Sequence, residues 1–161
     1  MQPRACREHF AQLLTEELAG LNELAGLLEH EHKLLVANDV TALESAMHER
    51  QSCVARIMRV DEERRSLCRG LGYSTDVPGI EKLLRWCDPQ ASLAARWAEC
   101  AARTAQCREL NDRNGVLVRA RLKRVQDLLA TLIGRGRESN TYGRRGAAVS
   151  GSVGAVVTAE A

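Results

Sequence analysis

Aromatic side chains are scarce in this sequence: Phe10, Tyr73, Trp86, Trp97 and Tyr142 are all that 161 residues contain, and proline occurs three times. A sheet sandwich draws on aromatic and β-branched residues, so the shortage argues against one. The abundant Leu, Ala, Glu and Arg form helices well. No run approaches the roughly 18 consecutive apolar residues that cross a bilayer. No uninterrupted apolar segment follows residues 1–8 either, so no secretory signal is expected and the cytosol is the expected location. A one-sided charge is missing as well, because 23 basic and 21 acidic residues leave a net +2, too little by itself to imply nucleic acid. With 45% hydrophobic and 27% charged residues, wholesale disorder is excluded. The length suits one domain.

Catalytic and metal-binding patterns are also absent. The six cysteines contain no C-x-x-C pair, and in the cytosol they are expected to stay reduced. His30 and His32 are two residues apart, so on a helix their rings point to different faces, whereas zinc-binding histidines on a helix sit four apart. His9 and His48 have no ligand cluster at suitable spacing. No glycine-rich phosphate loop or serine elbow occurs, and Glu16-Glu17 and Glu62-Glu63 read as solvated carboxylates. Neither enzyme activity, a cofactor nor a metal is expected.

What is present is helical periodicity. From residue 3 to 37, Leu14, Leu21, Leu28 and Leu35 fall seven apart, flanked by further leucines. Asn38-Asp39 interrupts the pattern, and Thr41-Ala42-Leu43-Glu44 reads as a capping box. A second helix to about residue 69 follows on Leu43, Met47, Val54, Ile57, Val60, Leu67 and Leu71, folded back as an antiparallel hairpin. Gly70-Leu71-Gly72 ends it, residues 73–79 read as a loop, and residues 80–87 form a short helix. Asp88-Pro89 signals the next helix start. From there Leu93, Trp97, Cys100, Thr104, Cys107, Asn111, Asn114, Val118, Leu122, Val125, Leu129 and Leu132 keep helical spacing to residue 133, across Asn114-Gly115. The expected fold is all-α: an antiparallel bundle of three long helices and one short helix over residues 1–133, with a disordered, flexible C-terminal tail over residues 134–161.

Charge is unevenly distributed. Residues 1–63 hold six basic and twelve acidic side chains, and residues 113–145 hold nine basic and two acidic ones. A basic stretch of this kind can grip phosphates, but no aromatics interleave with the arginines for base stacking. Intramolecular pairing or a protein partner is therefore expected rather than nucleic acid. Cys100 and Cys107 read as small thiols filling a helix interface. Asn111 and Asn114 either fix bundle register or mark where the seam ends and a partner-facing surface begins. Beyond them Leu117, Val118, Leu122, Val125, Leu128, Leu129, Leu132 and Ile133 form an apolar face, which if uncovered suits another protein's helix or groove.

The run Cys107-Arg108-Glu109-Leu110-Asn111-Asp112-Arg113-Asn114-Gly115-Val116-Leu117-Val118 resembles the L-N-x-x-N-G segment in the last long helix of FlgN-type flagellar export chaperones. Asn140-Thr141-Tyr142-Gly143-Arg144-Arg145-Gly146 is similar to that family's Y-G-x-x-G element, although many relatives carry an acidic residue and glycine after Y-G. The leucine-rich first helix, Asn38-Asp39, Leu43 and the Asp61-Glu62-Glu63-Arg64-Arg65 run fit as well. The resemblance implies a cytosolic helical chaperone of flagellum assembly. Such a protein would bind the hook–filament junction proteins FlgK and FlgL and deliver them to the flagellar type III export apparatus. It implies substrate engagement by the C-terminal part of the chain, and docking on the export gate protein FlhA at Tyr142 and Gly143. Two other readings of the residues stay open: a basic RNA-binding or regulatory protein, and a self-associating coiled-coil adaptor.

Overall fold

The computed structural model describes residues 1–139, with side chains through residue 133. Among them are four helices and no strand: α1 (Pro3–Ala37), α2 (Val40–Gly70), α3 (Val77–Cys87) and α4 (Ala94–Ser139). The all-α architecture expected from periodicity is present, with three long helices and a short one ahead of the last. The chain divides into two units, Met1–Ala120 and Arg121–Ala161. The bundle belongs to the first, and the helical course of α4 extends into the second. It continues through residues 134–139, past the change of composition at Gly134. The rest of the expected tail lies outside the described residues.

Each turn has a local cause. Asn38 takes a left-handed backbone (φ 61°), and the Asp39 amide bonds back to the Leu34 carbonyl at 3.1 Å, closing α1. Asp39 then starts α2, its Oδ1 accepting the Ala42 amide at 3.0 Å. The cap is therefore Asp39 and not Thr41, because the helix begins at Val40 before a Thr41 box could form. Gly72 (φ 77°) closes α2 in the same way, with Tyr73 N–H bonded to the Cys68 carbonyl at 2.9 Å. Asp76 caps α3 by accepting the Gly79 amide at 2.9 Å, so this helix starts three residues before the expected Ile80. A Cβ on Gly79 would fall 2.1 Å from the Ser74 carbonyl oxygen, which reserves the position for glycine.

The start of α4 differs from the Asp88-Pro89 signal. The Asp88 carboxylate accepts the Leu93 amide at 2.8 Å and the Ser92 hydroxyl at 2.7 Å, and Ala91 adopts a left-handed backbone (φ 54°). Residues 89–93 are consequently two successive turns, and the helix begins at Ala94.

α2 runs antiparallel to α1. Glu17 pairs with Arg64 and Glu31 with Arg50, so rising numbers on one helix meet falling numbers on the other. The α2 seam is Ala46, Cys53, Val60 and Leu67, spaced by seven and all buried. Sequence reading placed the larger Met47, Val54 and Ile57 there, but Met47 is exposed and the other two are half-buried. The cause is close helix approach. Cys53 Sγ donates to the Gly20 carbonyl at 3.4 Å, and a Cβ on Gly20 would meet Ile57 Cγ1 at 2.8 Å. Small residues let the two helices come together, while the bulky ones turn aside.

At the other end of the bundle Phe10 and Leu83 are fully buried, and the Phe10 ring lies 6.2 Å from that of Trp97. The Arg64 guanidinium sits over the Trp97 ring at 5.2 Å and also pairs with Asp61. Burial pushes the Glu17 carboxyl up, while Arg64 pulls it down and Asp61 pushes it up again, with a net rise.

Candidate protein-binding site

The candidate surface is carried by α4, whose proximal part docks on α1 through a regular ladder. Cys100 Sγ donates to the Leu14 carbonyl at 3.6 Å, Cys107 Sγ to the Leu21 carbonyl at 3.4 Å, and Asn114 Nδ2 to the Leu28 carbonyl at 2.8 Å. Both helices advance by seven residues per rung, so α4 runs parallel to α1 and antiparallel to α2. The thiols are buried and free, and burial raises Cys100 to about 11 and Cys6 to about 12. At neutral pH they are protonated donors and poor nucleophiles.

Of the two asparagines, Asn114 lies inside the seam and Asn111 outside it. Asn114 is 4% exposed, and His32 Nδ1, in its protonated tautomer, is placed to donate to Asn114 Oδ1 at 3.1 Å. Asn111 is exposed, and its Oδ1 accepts from Arg50 Nη1 at 3.4 Å. Gly115 lies within continuous helix, and its hypothetical Cβ meets only the flexible Arg119 guanidinium. Glu31 is buried beside this cluster. Its Oε1 lies 3.2 Å from Arg50 Nε without hydrogen-bond geometry. Burial pushes its carboxyl up against the pull of Arg50.

Past Asn114 the exposure changes. Leu117 is half-buried. Val118, Leu122, Val125, Leu128, Leu129, Leu132 and Ile133 are exposed, Leu122 at 57% and Leu132 at 64%. An α-helix turns once in about 3.6 residues, which brings Val118, Leu122, Val125, Leu129 and Leu132 onto one face. Leu117 and Leu128 extend that stripe along one edge. Single exposed aliphatics are ordinary, whereas a contiguous helical stripe of them is a candidate interaction surface. Tyr142 and Gly143 lie outside the described residues.

Sequence reading missed a second apolar surface. An open groove of about 860 Å³ lies among α1, α2 and α4, with Leu21, Leu24, Leu28, Met47, Val54 and Ile57 as its apolar lining and Glu44, His48, Arg50 and Arg108 among its polar residues. A neighbouring hollow of about 600 Å³ shares Leu21, Ile57, Thr104 and Arg108. The signal was available in Ala46 and Cys53, since a seam of small residues displaces larger neighbours to its sides. No described helix is long and apolar enough to cross a membrane. No group of three or more His, Cys, Asp or Glu among the described residues could hold a metal ion.

No solved structure matches the chain. The curated flagella synthesis protein FlgN of Proteus mirabilis is 26% identical over 124 residues, covering 76% of this chain and 78% of the relative. The sequence model of the FlgN protein family matches residues 6–150, which takes in both the α1–α4 ladder and the exposed stripe beyond it. The chain belongs to the FlgN family of flagellar synthesis chaperones.

Proposed function

We propose that this chain is a cytoplasmic chaperone that binds the hook–filament junction proteins FlgK and FlgL through the distal face of α4. It then delivers them to the export gate protein FlhA, with Tyr142 and Gly143 as the docking element. The role needs no catalytic group. The observation that carries the reading is the exposed stripe Val118, Leu122, Val125, Leu129 and Leu132 on a helix whose earlier turns are packed in a stable bundle.

Burying one Leu or Val fully is worth about 1.5–3 kcal/mol. A few such side chains therefore outweigh exposed ion pairs of about 0.2–1 kcal/mol each, and can offset the cost of ordering a partner segment. Specificity for the junction proteins then comes from what flanks the stripe.

The test is capture of purified FlgK and FlgL by the full chain. Leu122→Asp and Leu129→Asp are expected to weaken capture by at least about tenfold with helicity retained, because each places a carboxylate in the apolar contact. Tyr142→Ala is expected to leave capture intact and to lower transfer to FlhA. Capture unchanged by both aspartates in folded protein overturns the proposed face. Loss of both capture and transfer in the Tyr142 variant, or of neither, overturns the division of labour.

A further inference from the structure

The groove among α1, α2 and α4 is bounded by three helix faces, and all three keep the spacing of a packed seam. Its floor on α1 is Leu21, Leu24 and Leu28. The α2 wall, continued by the neighbouring hollow, is Glu44, Met47, Gln51, Val54, Met58 and Asp61. The α4 wall is Trp97, Ala101, Thr104, Arg108 and Asn111. Each set advances by alternating threes and fours, the pattern by which a helix keeps one stripe facing a neighbour. At about 1.5 Å per residue the α4 wall is about 21 Å long and the α2 wall about 25 Å, room for about four turns of helix. Of α3 only Val77 borders this space. Three helices thus each present a seam to a fourth bundle position that no described helix fills.

We infer that this groove seats an amphipathic helix of about 15 residues from a second protein, other than the exported partner, with a carboxylate set against Arg108. The site is separate from the one in the proposed function and does not depend on it. The α4 wall is small where the occupant's backbone must come close, at Ala101, Thr104 and the adjoining Ala105. Bulky apolar side chains of the occupant then meet the leucine floor and the exposed Met47 and Met58, whose unbranched chains adapt to an incoming surface. Arg108 borders both hollows and is exposed. Among the described residues it has no ion pair, whereas Arg64 is held by Glu17 and Asp61. A carboxylate on the incoming helix answers it, as flanking charges select partners across helix seams. The exported partner is assigned to a stripe of large aliphatics; the small and polar α4 wall suits a helix with the opposite distribution of bulk. A second copy of this chain would bring its own aliphatic stripe flanked by Arg119, Lys123 and Arg124, setting cations against Arg108.

The chain's three methionines make the test direct, since Met47 and Met58 line the groove and Met1 does not. The full chain, isotope-labelled at its methionine methyls, is titrated with a designed helical peptide of about 15 residues. The peptide carries apolar residues at alternating three and four spacing, with Glu at the flanking positions. Both groove methyl signals are expected to shift together while that of Met1 stays, a result that needs no variant. By fluorescence anisotropy the Glu peptide is expected to bind about fivefold tighter than a Lys counterpart in low salt, with the gap closing as salt rises. Arg108→Glu is expected to reverse that preference. Met47→Asp combined with Met58→Asp is expected to weaken binding at least about tenfold, and Leu129→Asp to leave it unchanged. The three groove residues are exposed, so each variant is expected to keep the wild-type circular dichroism. Unmoved methionine signals, equal binding of the two peptides, or binding that Leu129→Asp abolishes overturns the inference. Displacement of the peptide by FlgK or FlgL would make the exported partner the occupant and overturns it too. So does self-association of the chain that the double methionine variant abolishes. The proposed function fails separately, because it is read from capture of FlgK and FlgL and not from these signals.

Discussion

The two portions of α4 carry similar apolar patterns and end in opposite environments. In residues 94–114 the face toward α1 holds Cys100, Cys107, Leu110 and Asn114, all buried. In residues 118–133 the corresponding face holds larger aliphatics, all exposed. The buried portion uses small or polar side chains that reach a neighbouring helix's carbonyls, at 3.6, 3.4 and 2.8 Å along the ladder. The exposed portion is the more hydrophobic of the two. Hydrophobicity therefore does not say which stripe is core. Side-chain size and donor geometry do, because a seam must first let two backbones approach. The step pattern changes at the same place. Asn114, Val118 and Leu122 follow one another by fours, which breaks the alternation of threes and fours that keeps a seam facing its partner.

The comparison is sharpest with one substitution made in each portion. Leu110→Ala, in the buried portion, is expected to cost about 2–5 kcal/mol of unfolding free energy, from lost transfer energy plus the cavity left behind. Chemical denaturation of the full chain reads this as a lower midpoint with an unchanged slope. A cost below about 0.5 kcal/mol would mean that the proximal seam is no more a core than the distal stripe.

A smaller effect belongs to the last rung. Asn114→Ala removes the donor to the Leu28 carbonyl, in a buried setting, and the acceptor for His32, in a half-buried one. The expected loss is about 1–2 kcal/mol, near the typical worth of a buried side-chain hydrogen bond with its desolvation cost. His32→Ala on its own should cost less, and in the double variant the two losses should not add, since the residues share one contact. Simple additivity in this cycle would show that the asparagine acts through packing rather than through the pair.

Much of this was legible in residue types with a backbone reason. Pro3, Asn38 and Gly72 mark helix ends because each fixes or tolerates a particular φ, and α1 begins and ends where they stand. Asp88-Pro89 misled because the Asp88 carboxylate is taken by the Ser92 hydroxyl and the Leu93 amide, an arrangement no dipeptide encodes. Periodicity places Val60 and Leu67 correctly in the α2 seam but reads its first half one position late, at Met47 and Val54 instead of Ala46 and Cys53. Periodicity weighs hydrophobic bulk, whereas close helix packing selects smallness. The groove beside that seam was hidden for the same reason. At the candidate site the stripe itself was plain from spacing. The split roles of Asn111 and Asn114 were not, because they depend on which α1 carbonyl and which α2 arginine come within reach.

The smallest expected effect is the one most diagnostic of function. Leu129→Ala removes as many carbon atoms as Leu110→Ala, yet Leu129 is 53% exposed. Little apolar surface returns to water when it is truncated, and no cavity forms, so unfolding free energy is expected to move by no more than about 0.5 kcal/mol. A leucine at such a position adds little to the stability of the isolated chain and gains burial only if another surface covers it. The same variant is therefore expected to weaken partner binding by about 1–3 kcal/mol if Leu129 becomes fully buried in the complex. Calorimetric titration beside a denaturation curve separates the two quantities on one sample. A loss of stability with unchanged binding would make the distal stripe part of the protein's own core. A loss of binding at constant stability is what a surface reserved for a partner requires.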